Sequence, residues 1–401
     1  MTKRAVAVII AGFLTVFIAF SIRYAYGMLL PKMLVSLAIS KTQAGLIFSS
    51  YFVAYTLCAP LLGSLADRYD VRVILTLFVA LLGTGAFLMS YATSVLNASL
   101  FFLVAGIGHS ACWAPVAAVI QRWVSDKRRG IALAFADVGS ATGIIVWSAV
   151  LPIMVASRSW RTGWVSLGVV ALVVAVLNYW LVRSRPPEEQ GPQPKVESIY
   201  SKEPIGVTYR RLFKDINFWL LGLSYLLVAF TILVPYTFIS SYAVEGLAMP
   251  YETATKLIAV IGISGIAGKL FLSSLSDTLG RVRIMMLCSA CLAVGSLGIA
   301  YSSGFFLLIL FLVIVGLGYG ALWPVYAAAA RDFFSEKSAG SVIGLWTVYL
   351  GVGSITSPIL AGWTIDKTGH YTSAFLLAMA GAILSILLLL PIAKTKAGTQ
   401  G

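Results

Sequence analysis

Charged residues are scarce in this chain, and their scarcity argues against a soluble protein. Of its 401 residues 11% are charged and 59% are hydrophobic, whereas a soluble domain carries about 25% charged residues. Histidine occurs only twice, and the sequence contains no P-loop, no G-x-S-x-G and no cluster of metal ligands. We therefore expect no enzyme site, no bound metal and no cofactor.

Cysteine is also rare and indicates nothing about chemistry. All four cysteines fall in apolar stretches, and Cys288 and Cys291 form a C-x-x-C that has no other metal ligand nearby in the sequence. A packing role is the interpretation that fits such positions.

Long apolar runs, in contrast, recur along the whole chain. Each is about 20 residues long, which is enough to cross a bilayer as a helix, so the sequence predicts an all-α membrane protein. The first run is too long for a cleaved signal peptide and is taken as the first span. The twelve predicted spans are 5–30, 43–65, 72–92, 96–121, 131–154, 162–182, 217–242, 255–275, 283–302, 305–330, 338–361 and 372–392.

The formal charge of +14 at first points to nucleic acid, but the positions of the basic residues argue against such a partner. With the N-terminus inside, the predicted spans place 21 Lys and Arg residues on the cytoplasmic side and 6 on the outer side. This asymmetry orients membrane proteins. It predicts a multi-pass protein of the cell (inner or plasma) membrane, with both termini cytoplasmic.

One connector differs from the short loops between the other spans. The segment from Arg183 to Lys214 is rich in proline and charge, so it cannot insert into the bilayer and has little to bury. It divides the chain into an N-terminal six-helix bundle at 1–185, a cytoplasmic linker at 186–214 and a C-terminal six-helix bundle at 215–401.

The two halves repeat each other at an offset of 210 residues. GIGHSACW at 106–113 matches GLGYGALW at 316–323, and Asp67 matches Asp277 without a gap. The glycines, alanine and tryptophan of the first stretch all recur in the second. Two parallel six-helix repeats related by an axis along the membrane normal imply a pseudo-symmetric bundle pair, with a substrate site between the halves near the midplane.

The loop between the second and third spans carries a family resemblance. Gly63-Ser-Leu-Ala-Asp67-Arg68-Tyr-Asp70-Val-Arg72 resembles the signature G-x-x-x-D-[RK]-x-G-x-[RK]-[RK] of the major facilitator superfamily, with Asp70 in place of the glycine. The matching loop of the second half has Asp277 and keeps the glycine as Gly280. The resemblance implies the twelve-helix major facilitator fold, in which Asp67, Arg68 and Asp277 stabilise one gate conformation.

Four ionisable residues lie deep inside predicted spans, where a charge costs roughly 3 kcal/mol or more and marks a functional site by default. At the repeat offset none of the four recurs, so the fold itself does not require them. They and their neutral counterparts are Arg23 with Leu233, Asp137 with Thr347, Lys269 with Ala59, and His109 with Tyr319.

A narrower resemblance concerns the two cations. The monocarboxylate and oxalate transporters of the superfamily carry a substrate-binding arginine eight residues before the acidic position of the loop, and Lys269 stands there. Arg23-Tyr-Ala-Tyr-Gly looks like the organic-anion branches, whose arginine binds the anionic group. The second cation of the oxalate carrier corresponds here to Tyr349, which weakens the dicarboxylate alternative.

We expect Arg23 and Lys269 to bind the substrate, and each has a structural alternative. Arg23 could snorkel to the outer interface, and Lys269 could hold helices together in an internal ion pair. Aromatic residues are expected to complete the cavity. The predicted substrate-binding set is Arg23, Lys269, Tyr26, Trp113, Tyr236, Trp323 and Tyr349.

Asp137 and His109 are the candidates for proton coupling. Asp137 is the only acid inside a span, and its alternative role is a structural ion pair with Lys269 or Arg23. His109 has the alternative of a neutral ring bonded to a backbone carbonyl.

Together these features predict a monomeric, gradient-driven carrier that moves a small organic anion, first of all a monocarboxylate, by alternating access with proton symport. The alternatives are a drug–proton antiporter, an oxalate-like dicarboxylate exchanger and a transport-dead nutrient sensor. The two intramembrane cations argue against the antiporter. The sensor would usually carry a large soluble tail, and about nine residues follow the last predicted span.

Overall fold

The structure is a computed structural model, which describes residues 2–183, 210, 212–334 and 336–397. Side chains at 63–68, 126, 336–337 and 394–397 are outside the description. Most of the predicted linker, 186–214, therefore lies outside the described residues. The regular structure of the described residues is entirely helical, which confirms the predicted all-α class.

Thirteen α-helices and one π-helical turn make up the described secondary structure. In chain order they are α1 (Lys3–Leu37), α2 (Lys41–Arg68), α3 (Val71–Met89), α4 (Val95–His109), α5 (Ala114–Trp123), α6 (Asp126–Ser157), α7 (Trp160–Leu181), α8 (Ile216–Ser241), the π-turn Tyr242–Gly246, α9 (Tyr251–Leu279), α10 (Arg281–Tyr301), α11 (Phe305–Phe334), α12 (Glu336–Thr368) and α13 (Thr372–Ala397).

Twelve of the resulting segments in the described chain are long and apolar enough to cross a membrane, as the sequence predicts. The fourth, Val95–Trp123, combines α4 and α5, and the seventh, Ile216–Gly246, combines α8 with the π-turn. The fourth span was predicted as continuous, so its interruption after His109 is a correction to the sequence-based interpretation.

The first helix is longer than predicted. It does not end near residue 30 but passes through Pro31 to Leu37, where Ala38 ends it in a left-handed conformation with φ 52°. The Ala38 N–H donates to the Leu34 carbonyl in this cap. Arg23 consequently lies three residues past the midpoint of a 35-residue helix, far from either end.

The internal repeat is visible in helix packing. Gly106 of α4 lies so close to the Tyr51 carbonyl of α2 that a Cβ at this position would overlap it. Gly316 of α11 lies in the same way against the Ile261 carbonyl of α9, where a Cβ would be 2.6 Å from the oxygen. Both members of the second pair follow the first by 210 residues.

A second pair of contacts has the same offset. A Cβ at Gly108 would lie 2.5 Å from the Phe78 carbonyl of α3, and one at Gly318 would lie 2.7 Å from the Cys288 carbonyl of α10. The glycines of the sequence repeat are thus positions where the backbones of neighbouring helices approach each other closely. Contacts at corresponding positions in both halves confirm the pseudo-symmetric fold.

The described residues fall into two compact units whose boundary passes through helices. The first unit lies within Met1–Gln193 and Thr237–Ala259, and the second within Pro194–Tyr236 and Val260–Gly401. In the first unit, Lys41 Nζ lies 2.7 Å from Glu245 Oε2 and the Tyr251 hydroxyl donates to the Met28 carbonyl at 3.0 Å. These contacts join α1 and α2 to the π-turn and the start of α9.

Candidate functional site

Arg23 is buried in the middle of α1, inside a cage of aromatic rings. Its side chain is 8% exposed, and its guanidinium carbon lies 4.9–5.5 Å from the ring centres of Phe20, Tyr51, Phe52 and Tyr55. Such contacts stabilise a cation by the negative face of each ring. The burial excludes the snorkelling alternative for this arginine.

The cage was not predicted, although the sequence contains a signal for it. Phe20 lies one turn before Arg23 on α1, and the other three rings come from α2. Tyr51 and Tyr55 are four residues apart, so they occupy one face of α2. A pair of tyrosines at this spacing in an otherwise apolar helix is a polar stripe. It identifies a face, but not the helix that the face meets.

The guanidinium keeps two donors unused among the described residues. Its Nε and Nη2 atoms are buried and have no hydrogen-bond partner there. These two nitrogens form one edge of the planar group, and their N–H bonds run parallel, which matches the two oxygens of a carboxylate. An unsatisfied buried donor is costly, so this edge of Arg23 is suited to an anionic ligand.

His109 extends the cage at the end of α4. Its Nδ1 atom contacts the Tyr51 hydroxyl and lies 3.1 Å from the Ala19 carbonyl of α1. Its ring packs against Phe20 and Tyr55 at centroid distances of 5.3 and 5.4 Å. The structure therefore brings two of the predicted site residues, Arg23 and His109, into one cluster.

The chain breaks its helix directly after His109. The Cys112 N–H bonds to the His109 carbonyl at 2.9 Å in a tight turn, and α5 restarts at Ala114. Pro115 has no N–H to offer the Ala111 carbonyl, so a continuous helix would lack that bond. Trp113 occupies the N-cap position of α5, and its half-buried side chain packs against the apolar core of the first unit. Interrupted helices often line binding sites in transporters.

Asp137 lies at another level of the first unit. It is half-buried on α6, two residues before Gly139, whose Cβ position would be 2.5 Å from the Phe13 carbonyl of α1. Gly143 meets the Phe17 carbonyl in the same way, so α1 and α6 run in parallel. Arg23 is ten residues beyond Phe13, or about 15 Å along the helix, and Asp137 does not belong to its cage.

Tyr26 belongs to the layer behind the cage. Its ring stacks on Phe48 at 4.9 Å and on Phe102 at 5.2 Å, and Phe102 in turn contacts Tyr51. The Tyr26 hydroxyl donates to the Ala44 carbonyl at 2.7 Å. The structure thus uses the hydroxyl of Tyr26, a predicted substrate-binding residue, in the packing of α1 against α2.

The remaining predicted substrate residues lie in the second unit. Lys269 is half-buried on α9. Each of the three aromatic residues there contacts other rings, and a run of ring contacts through Tyr225, Tyr326, Trp346 and Phe218 connects Trp323 to Tyr349. Tyr236 is buried beside Tyr319, Trp323 is 41% exposed and lies 6.4 Å from Tyr225, and Tyr349 packs on Phe218 and Trp219.

The predicted gating loop is described in the second unit only. Asp277 lies 2.5 Å from Arg281, whose Nε also donates to Asp332 at 3.1 Å. This triad ties the end of α9 and the start of α10 to α11. The side chains of Asp67 and Arg68 lie outside the described residues.

Comparison with known proteins identifies relatives along the whole chain. A family model described as Major Facilitator Superfamily matches residues 12–303 and 257–401. The chain is 26% identical to the hexuronate transporter of Bacillus subtilis over 100% of its own length and 98% of the relative's. It is also 26% identical to monocarboxylate transporter 12 of Xenopus laevis over 83% of this chain and 76% of that protein.

Solved structures resemble the fold at low sequence identity. A bacterial homologue of the human lysosomal transporter Spinster, in an inward-facing and occupied conformation, superposes with a TM-score of 0.81 at 15% identity, covering 98% of both chains. At this identity the likeness concerns the fold alone.

Proposed function

The chain belongs to the major facilitator superfamily, and we propose that it is a secondary active transporter of a small organic anion, first of all a monocarboxylate. The unused Nε–Nη2 edge of Arg23 carries this proposal, because its geometry fits a carboxylate. Two relatives that match most or all of this chain are named as a hexuronate transporter and a monocarboxylate transporter, and both names agree with an acidic substrate. A cationic drug would instead meet a buried positive charge.

Lys269 is the proposed second cation for the substrate, on α9. A lysine supplies a point charge rather than a fork, so we assign orientation of the carboxylate to Arg23 and additional charge compensation to Lys269. Trp113, Tyr236, Trp323 and Tyr349 remain proposed cavity residues.

Proton symport is the proposed coupling, with Asp137 as the proton carrier. A proton on this carboxyl together with an anion on Arg23 lets the substrate cross as part of a neutral unit. His109 is the second candidate for this role. We further propose that the protein is a monomer in the inner or plasma membrane of the cell. Both termini are proposed to lie in the cytoplasm, because the basic residues between the predicted spans concentrate on the side of the termini.

A ligand screen on the detergent-purified protein tests the function. Acetate, L-lactate, pyruvate and D-glucuronate are added separately, with the cation tetraphenylphosphonium as the contrasting ligand. At least one anion should raise the apparent melting temperature, because a ligand of the native state stabilises it, and the same anion should be taken up by proteoliposomes. A shift with the cation and with none of the anions would contradict the proposal.

A further inference from the structure

A short polar chain links the backbone of α1 to the Arg23 cage. The Ala19 carbonyl, His109 Nδ1 and the Tyr51 hydroxyl follow one another in this chain, and Tyr51 lies against the guanidinium of Arg23. Tyr51 is fully buried and His109 is 3% exposed. Water does not reach these three groups, so a donor that points at no acceptor stays without a hydrogen bond. The position of each proton along this polar chain can therefore be assigned.

The Ala19 carbonyl decides where the imidazole proton is. A carbonyl oxygen can only accept, so the Nδ1 atom 3.1 Å away has to donate to it. A doubly protonated ring would put a second buried cation beside Arg23, which is costly without a counter-ion. The consistent state is a neutral His109 with its proton on Nδ1. This tautomer is assigned from the hydrogen-bonding network.

The same proton fixes the role of the Tyr51 hydroxyl. Because Nδ1 already carries hydrogen, it cannot accept from Tyr51, and the phenol oxygen becomes the acceptor of a shared Nδ1–H bond. The guanidinium of Arg23, which also lies beside Tyr51, is a donor without acceptor capacity. Among the described residues, the Tyr51 hydroxyl is then left without an acceptor for its own O–H proton, which is available to an added ligand.

We propose that Tyr51 is a specificity-determining residue that donates its hydroxyl proton to the substrate carboxylate held by Arg23, and that His109 is the positioning residue which keeps this proton available. This inference rests on the proposed function and adds a third donor to the two of the guanidinium edge. The carboxylate then receives two N–H bonds in plane and one O–H bond from the wall of the cage.

The proton assignment can be measured without any substrate. The chain has only two histidines, His109 and His370, so imidazole-¹⁵N-labelled His370→Gln protein gives the signal of His109 alone. The nitrogen spectrum should show a neutral ring protonated at Nδ1. A ring protonated at Nε2 would overturn the inference, because Tyr51 would then donate to His109.

Removal of the hydroxyl tests the third donor. The probe is whichever of acetate, L-lactate, pyruvate and D-glucuronate stabilises the wild-type protein most. Tyr51→Phe should raise the dissociation constant for this anion about tenfold, the effect of losing one bond to a charged group. Tyr326→Phe is the matched control, since it removes another buried hydroxyl, bonded to Ser224, and should leave the dissociation constant unchanged.

Two substitutions of His109 separate positioning from proton transfer. The amide of His109→Asn can replace the Nδ1–H donor, so affinity should stay within about threefold of wild type. In His109→Gln the amide lies nearer the Nε2 position, so affinity should fall about as far as in Tyr51→Phe. Equal affinities in His109→Asn and His109→Gln would overturn the positioning role. Loss of proton-driven accumulation in both variants at equal affinity would make His109 a proton carrier instead.

The outcomes distinguish a failure of this inference from a failure of the proposed transport function. If the anion binds the wild type and Tyr51→Phe equally well, the third donor is wrong and the transport proposal stands. If none of the four anions stabilises the wild-type protein or is taken up by proteoliposomes that contain it, the transport proposal fails and the inference fails with it.

Discussion

At the scale of single residues, Arg23 is costly to the protein without a ligand. A guanidinium with two unpartnered nitrogens is buried among four rings, and cation–π contacts offset only part of the desolvation. An anion on its free edge supplies the missing bonds. We propose that this cost in the empty state is the basis of selectivity for an anionic ligand.

Replacing Arg23 should weaken substrate affinity. Arg23→Ala is expected to raise the half-saturation concentration of anion uptake at least about tenfold, since a lost charge-assisted bond is worth about 1.5–3 kcal/mol. Arg23→Lys should lose nearly as much, because an ammonium cannot reproduce the fork. Uptake kinetics in proteoliposomes measure both. Arg158→Ala, at an exposed position, is the control, and equal kinetics in all variants would remove Arg23 from the site.

Lys269 allows a test by loss of transport in one variant and its recovery in another. Lys269→Gln should abolish anion uptake while the protein still inserts and purifies as a single species, because the second positive charge is lost. Lys269→Arg should restore transport, since it keeps the charge and adds donors. Initial uptake rates for both variants, compared at equal amounts of reconstituted protein, decide the question. Normal transport by the glutamine variant would show that the lysine has only a structural role.

At the scale of helices, close packing at glycines sets the geometry on which the site depends. Gly106 brings α4 against the backbone of α2 at Tyr51, the helix that supplies three of the four rings around Arg23. The break after His109 then turns the chain beside this contact. Small residues at such crossings let helix backbones approach in a membrane, where apolar burial gives little driving force.

Alanine at a packed glycine should destabilise the fold. A Cβ at Gly318 would lie 2.7 Å from a backbone oxygen of Cys288, whereas one at Gly344 of α12 would meet nothing within 4 Å. Gly318→Ala is expected to cost about 1–3 kcal/mol by overpacking. Gly344→Ala should gain about 0.5–1 kcal/mol, because alanine favours the helix. Melting temperatures in one detergent compare the pair, and two equal shifts would refute the packing argument.

At the scale of the whole molecule, the proposed proton symport requires that substrate binding and proton binding be linked although they are assigned to different groups. Asp137 and the Arg23 cage lie at different levels of the parallel pair α1–α6. Coupling between them is therefore proposed to act through the charge balance of the carrier as it changes conformation, rather than through a direct bond between the two side chains.

Neutralising Asp137 should separate the two processes. Asp137→Asn resembles the protonated carboxyl, so it should block proton-driven accumulation and leave exchange of substrate across the membrane intact, because exchange releases no proton. Both are measured on the same proteoliposomes, with and without a pH gradient. Loss of exchange as well would favour a structural ion pair, and retained accumulation with an unchanged pH optimum would exclude Asp137 as the proton carrier.

Features that depend on local sequence were predictable. Twelve helices follow from apolar length, because the bilayer imposes one span length on every crossing. The repeat follows from a fixed offset, and Arg23 and His109 are candidates because an ionisable group in an apolar helix is costly wherever its neighbours lie. The end of α1 was missed, since Pro31 ends many helices but here lies within one.

The membrane class, the repeated fold and the candidates for chemistry follow from local composition and spacing, so the amino-acid sequence is sufficient to predict them. The packing of the helices is needed to show that rings from α2 enclose Arg23, that the Tyr26 hydroxyl donates to the Ala44 carbonyl and that His109 faces Ala19 and Tyr51. These relations join residues up to 90 positions apart. They depend on which helix faces meet, and in a chain that is apolar on nearly every face, periodicity does not specify the partner.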